Sequence, residues 1–466
     1  MTSPCEATHV LKTLSGFVSL ALLLGVGGAS AGADGIGDPY YPQDGNGGYQ
    51  VSHYDVALSY DPARADYLVG ETTVSAVATQ GLNRFDLDLE GFNVASVTVN
   101  GLPVKAFERR DEHELVITPG ESLRRGQQFN VRVRYSGTPG LFWMTADDAG
   151  AVHAFGEPRS ASSWYPVNDH PSDKATFHLA ATVPRGWTAI GSGSPGRTTR
   201  HGGKTTFEYN ETRPVASYLT GLVIDRMAVH RSVLTDGTPV IDAYLPGAET
   251  SKPSEDRLPE ILNFLTSTFG PYPFSSAGGI FYPGDTGGGF ELQQRPVYPG
   301  GISTDQFTVI VHENAHQWFG NSVSMRDWRD ICIKECFASY AEWLWNEAKE
   351  GHNLDADYRA TIDKKKNDAS FWKEPLYDPG PFSYGGAYTV GPLMLHALRR
   401  TVGDDVFFRT LRDWLHIHRY ANASWPEFER LAGKESGTDL TRFFQAWAHS
   451  TSVPADQYLY PRSLKN

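Results

Sequence analysis

Cysteine is nearly missing: the chain has three in 466 residues, and Cys5 lies at the extreme N-terminus. That excludes a disulfide framework standing in for a hydrophobic core. Cys332 and Cys336 are four apart in a stretch that reads as helix, where a bridge would be strained, so two buried, unpaired thiols are expected. A basic excess is missing as well. Forty-one Lys and Arg against fifty-four Asp and Glu give a formal net charge of −13, which excludes the phosphate-tracking surface of a nucleic-acid binder. Long apolar runs are confined to the N-terminus, where "FVSLALLLGVGGA" is shorter than the ~20 residues of a membrane span. It leads into Ala29-Ser30-Ala31 and Ala31-Gly32-Ala33, both of the small-x-small form of a cleavage site, with Lys12 upstream. A secretory signal peptide over 1–33, cut after Ala31 or Ala33, is the expectation. It implies a secreted, extracellular or cell-envelope protein with no stable membrane span.

With 40% hydrophobic and 12% aromatic residues, the chain has the material for packed cores, and its length fits two or three domains. Residues 34–48, which include "GIGDPYYPQDGNGG", show no periodicity and are expected as a flexible leader. Alternation of period two follows. "FNVRVRYSG" puts Phe129, Val131, Val133 and Tyr135 on one face, and "KATFHLAATVP" does the same with Phe177, Leu179 and Ala181. Short strands and frequent Gly/Pro turns predict an all-β domain over 49–246. Past that point Leu258, Ile261, Leu262 and Leu265 recur at helical spacing, and Gly270 closes the run. The runs "TDQFTVIVHENAHQWFG", "ICIKECFASYAEWLWNEA", "YTVGPLMLHALRR" and "SWPEFERLAG" continue it, the last opening on Ser424 and Glu427 as a capping box. The expected fold is α+β and multidomain, with a mostly helical domain over 247–466.

Chemistry enters with "VHENAHQWFG". Four residues turn a helix by about 400°, so His312 and His316 project from nearly the same face and can converge on one ion. Glu313, about 100° away, stands beside that ion, where it can accept a proton from an activated water. The alternative is an ordinary amphipathic helix that carries two histidines. A catalytic zinc takes three protein ligands, so the pattern calls for a third on another element. Glu335, in a second apolar run with eighteen residues between it and His316, fills that need. Glu342, two turns further along the same face, is placed to hold a ligand histidine through its free N–H.

HExxH with a glutamate after eighteen residues resembles the zinc signature of the aminopeptidase N and leukotriene hydrolase family, a gluzincin group. "SSWYPVNDHPSDKATF" is similar to that family's Trp-Phe-Pro…Asp-x-Pro…Lys segment, "PVASYLTGLV" to a later strand, and "STFGPYPF" to the start of its catalytic domain. The resemblance implies a saddle-like β-domain before a thermolysin-like catalytic domain. It implies one Zn²⁺ per chain on His312, His316 and Glu335, with Glu313 as general base. It further implies a peptide substrate with a free N-terminus: Glu291, in "GGFELQQRPVY", matches the glutamate that binds the substrate α-amine, and Glu157 matches a second group gripping that amine. Tyr388, in "AYTVGPLMLHAL", matches the phenol that serves the oxyanion, with Tyr384 as its rival.

The expected function is a secreted zinc metallo-aminopeptidase, a hydrolase of N-terminal peptide bonds. The alternatives are a catalytically impaired peptide-binding member of the same fold and an epoxide hydrolase-like side activity. Three departures from the family pattern stand out: Phe290 and Leu292 around Glu291, and Cys336 after Glu335 where the family has glycine. "FFQAWAHSTSVPADQYLYP" is similar to the end of the family's catalytic domain, so a short form without the C-terminal helical domain is expected.

Overall fold

The computed structural model describes residues 29–146, 149–248, 256–284, 288–300 and 307–465. The apolar run of the expected signal peptide lies mostly outside the described residues. Among the described residues, no helix is long and apolar enough to cross a membrane.

The first half is built on an eight-stranded sheet. Its centre is the parallel pair Tyr49–Tyr60 and Ala175–Pro184, and antiparallel neighbours extend it on both sides. Alternation in the sequence becomes alternation of burial: along Tyr49–Tyr60 the buried set begins as Tyr49 and Val51 and continues as Tyr54, Val56, Leu58 and Tyr60. The change of parity coincides with a register shift between Val51 and His53, the one-residue insertion of a bulge, which resets which side chains face the core. Trp164 and Tyr165, both fully buried, pack on this face against Tyr54 and Phe177.

Two boundaries differ from the sequence reading. The sheet Ala228–Val233, Pro239–Tyr244, Ala277–Phe281, Val297–Tyr298 joins strands from both sides of residue 246, so the expected domain boundary falls inside a sheet. The pairing is parallel across that point, with Ile241 opposite Gly278, a register no local alternation reveals. Residues 34–48, expected as a flexible leader, are pinned between the halves by buried polar groups. Asp38 Oδ2 accepts from the backbone N of Trp328 at 3.0 Å and faces His170 Nε2 at 3.1 Å, while Oδ1 accepts from the backbone N of Tyr40 and Tyr41. The Tyr40 hydroxyl donates to Asp378 and accepts from the backbone N of Gly380. A short parallel strand, Ser30–Ala31, lies beside Leu82–Asp88 just upstream.

Five helices of the second half form and support the site, and three of them carry its side chains. Helix α1 (Leu258–Phe269) buries Leu258, Ile261, Leu262, Leu265 and Phe269 and ends at Gly270 with φ +107°. Helix α2 (Thr308–Ala315) is short and continues as turns to Gly320. Helix α3 (Glu335–Trp345) packs on it, with the Phe319 and Phe337 rings stacked 4.6 Å apart. Helices α4 (Gly385–Thr389) and α5 (Gly391–Val402) break at Val390 within a run that reads as one helix.

The thiol expectation is corrected. Cys332 and Cys336 form a disulfide, with Cα atoms 4.8 Å apart. The strain argument assumed one continuous helix, whereas Cys332 belongs to a separate 3₁₀ segment, Trp328–Ile333, and only Cys336 lies in α3. That change of helix type draws the two Cα atoms closer than the roughly 6 Å that four residues of unbroken α-helix would give. Gly391 supplies the room: a methyl group there would collide with Cys336 Sγ.

Candidate metal centre

Helix spacing in α2 aims His312 and His316 at one point. Their Nε2 atoms are 3.0 Å apart, and Glu335 Oε2 lies 3.3 Å from the first and 3.5 Å from the second. All three side chains are buried, and Glu335 Oε2 has no hydrogen-bond donor of its own. Bonds of about 2.1 Å in a tetrahedron put neighbouring donors about 3.4 Å apart, so this set has the dimensions of a zinc site. The distal nitrogens are fixed as well: His312 Nδ1 is 2.9 Å from Glu342 Oε1, and His316 Nδ1 is 3.0 Å from the Phe319 carbonyl. Glu335 meets both histidines and Glu342 meets only His312, so α3 runs back along α2.

Glu313 is buried next to these donors. Burial drives its carboxyl up to about 7, against the pull of the His312 and His316 rings. Backbone approaches it from one side. A methyl group on Gly289 would run into the Glu313 carboxylate, an approach that only glycine permits. Because the obstructing atoms end a side chain, Gly289→Ala is expected to fold with a melting temperature within a few degrees of wild type while kcat falls at least tenfold. Thermal unfolding and steady-state kinetics on one preparation check both halves; an unchanged kcat would show that the position of this carboxylate does not matter.

Beside the donors lies a second group of charges. Glu157, from the turn after Val152–Ala154, and Glu291, from the loop before Val297–Tyr298, both bond the ammonium of Lys334, the Glu291 contact being 2.7 Å. Burial lifts Glu157 to about 7 against the attraction of Lys334; at Glu291, Lys334 outweighs burial and lowers the carboxyl. Lys334 Nζ is also 3.1 Å from Glu335 Oε1. Burial raises the Glu335 carboxyl, but Lys334 and the histidine rings outweigh it and hold it well below the usual range.

Tyr388 stacks on the His312 ring, with centroids 5.8 Å apart and planes 25° apart. Tyr384 instead directs its hydroxyl toward that of Tyr41, 3.5 Å away. The departures at Phe290 and Leu292 pack against the β-domain: the Phe290 ring lies 5.4 Å from Phe155, and Leu292 covers Gly221.

Three features escaped the sequence reading. Lys334 shows nothing of its partners in the sequence, and the role of Phe319 as a carbonyl acceptor leaves no signal there either. The close approach at Gly289 had one, the run "GGG" before Phe290.

A sheet-rich domain laid against helices that present two histidines and a glutamate defines a zinc metallopeptidase scaffold. Residues 50–219 match the Peptidase M1 N-terminal domain, and residues 301–447 match the Peptidase family M1 domain. The crystal structure of an M1 zinc metallopeptidase from Deinococcus radiodurans superposes with a TM-score of 0.82 at 29% identity, covering 90% of this chain and 98% of that one. A variant of the Deinococcus enzyme reaches 30% identity with 99% of its chain covered. Aminopeptidase N of Streptomyces lividans is 25% identical over 82% of this chain and 48% of its own, and a probable aminopeptidase 2 of Sulfurisphaera tokodaii is 24% identical over 87% and 54%. The chain thus spans about half the length of these curated relatives. It belongs to the M1 peptidase family, and zinc is its metal.

Proposed function

We propose that the protein is an aminopeptidase that hydrolyses the first peptide bond of peptides with a free N-terminus, using Glu313 as general base. The observation that carries this reading is the convergence of Glu157 and Glu291 on one ammonium position beside the three-donor cluster. Two carboxylates gathered at a cationic subsite next to the metal suit a substrate whose positive charge is one residue from its scissile bond.

His312, His316 and Glu335 would hold the zinc, which when bound would supply Lewis acidity for the scissile carbonyl and the attacking water. Glu313 accepts the proton of that water and returns it to the leaving amine. Its raised carboxyl suits both tasks, since a base poised near neutral pH gives back what it takes. Tyr388, over the His312 ring, donates its phenol to the oxygen on which negative charge develops. The carboxylates of Glu291 and Glu157 fix the register by accepting hydrogen bonds from the α-ammonium.

A fold that has lost its chemistry is disfavoured, because Glu313, the three donors and Tyr388 remain grouped. Supporting the proposal in kind, a similar two-domain M1 zinc metallopeptidase mutant is bound to L-arginine, and the Deinococcus radiodurans mutant to a Tyr-Ser-Ala substrate. Export belongs to the same proposal: the apolar N-terminal run supports it, and so does the Cys332–Cys336 bridge, which oxidising compartments preserve.

The test is a pair of peptides differing only in N-acetylation. Free peptides are expected to be cleaved at least a hundredfold faster in kcat/KM, and Glu291→Ala is expected to erase most of that preference. Equal cleavage of blocked and free peptides by the wild type would indicate an endopeptidase and end the proposal.

A further inference from the structure

The amine subsite already contains an ammonium. Lys334 is fully buried, and its Nζ bonds Glu157 Oε1 and Glu291 Oε1, lies 3.1 Å from Glu335 Oε1, and sits 5.3 Å from the centroid of the Tyr218 ring. The three carboxylates come from separate elements: the β-domain, the loop ending at Val297–Tyr298, and α3. Among the described residues, no other side chain donates a hydrogen bond to Glu157 or Glu291. Without a shared cation, carboxylates this close in a buried setting would repel one another and turn apart.

The lysine is itself held in place. It is the residue immediately before α3, between Cys332 and Cys336 of the disulfide, so the backbone on both sides is fixed. Gly320, at φ +116°, passes close by, and a methyl group there would lie 3.1 Å from Lys334 Cβ. The ammonium is therefore a built part of the site and not a surface group that has drifted in.

We propose that Lys334 is a positioning residue of the amine subsite: by engaging one oxygen of Glu157 and one of Glu291, it turns the other oxygen of each toward the substrate's α-ammonium. This rests on the aminopeptidase reading above. Lys334 touches neither the scissile bond nor the attacking water; it sets how tightly a free amine is held.

Two consequences follow for ligands. A ligand with a free amine depends on the orientation of both carboxylates and therefore on Lys334. One without the amine depends on neither. A purely structural role for Lys334 would weaken both kinds of ligand together.

The experiment uses the zinc-loaded full chain and two competitive inhibitors that carry no amide to hydrolyse, L-leucinol and its des-amino analogue 4-methylpentan-1-ol, with zinc content and thermal unfolding measured alongside. In the wild type L-leucinol is expected to bind the more tightly. In Lys334→Met the ratio of the two inhibition constants is expected to fall at least tenfold, with the constant for 4-methylpentan-1-ol moving less than twofold. Lys334→Arg, which keeps the charge but shifts the donors, is expected to lie between and also answers the question if the methionine variant does not fold. An unchanged ratio in either folded variant overturns the proposal. So does tighter binding of L-leucinol to Lys334→Met, which would make the lysine a competitor for the subsite. A wild type that does not distinguish the two inhibitors would instead overturn the aminopeptidase reading on which the proposal stands.

Discussion

Glu313→Gln is expected to keep its zinc and lose about two to four orders of magnitude in kcat, the usual span for removing a general base. The amide is nearly the same size as the carboxylate, so the contact with Gly289 and the burial beside His312 are preserved. What goes is the ability to accept a proton. Because the side chain is no part of the three-donor set, metal content should stay at one zinc per chain. Stopped assays on protein of measured zinc content separate the two quantities. A kcat within threefold of wild type in fully loaded protein would remove Glu313 from the reaction.

Glu335→Ala is expected to fail one step earlier, at metal retention. It deletes one of three donors, and it leaves the Lys334 ammonium, 3.1 Å from Glu335 Oε1, with one carboxylate fewer beside the metal's positive charge. Loss of an outer partner such as Glu342 typically costs about 10–100-fold in metal affinity, and loss of a direct ligand should exceed that. After dialysis against a chelator the variant should hold well under half of the wild-type zinc, and added zinc should restore little activity. Full occupancy after dialysis would mean that the third ligand lies elsewhere.

Much of this geometry is legible in the sequence, and the reason is the regularity of the elements that carry it. His312 and His316 meet because four residues is nearly one turn; Glu335 and Glu342 lie along one face because seven is nearly two. Ser424 and Glu427 close a reciprocal cap on the helix Trp425–Ser436 because that motif is local. Failures occur where the backbone leaves its regular period. "ICIKECFASYAEWLW" reads as one helix, but the 3₁₀ segment before Glu335 breaks it, and the same break converts two expected thiols into a bridge. Period carries no information about parallel pairing at a distance, so the boundary expected at residue 246 runs through the sheet that joins Pro239–Tyr244 to Ala277–Phe281. Lys334 illustrates a third kind of blindness. A lysine beside a glutamate is commonplace on a helix; what makes it unusual is that Glu157 and Glu291, distant in the sequence, arrive at the same atom.

The segment around Asp38 bears on maturation. Its aromatic residues pack against the segment that leads into α4, the helix that carries Tyr388: Tyr40 bonds Asp378, and the Tyr41 ring lies edge-on against Phe382. A processing cut after Ala31 or Ala33 would spare all of these contacts and give up the short pairing of Ser30–Ala31 beside Leu82–Asp88 with a few hydrogen bonds around it, among them those from Gln80 and Asn83 and, for the later cut, that of Gly47 to the Ala33 carbonyl. A cut beyond Tyr41 would remove both tyrosines while leaving every metal donor in the chain. Were the chain trimmed at its N-terminus, the position of the cut would constrain the working enzyme: molecules cut before Asp38 and beyond Tyr41 would be alike in metal donors and unlike in what packs beside the helix that carries Tyr388.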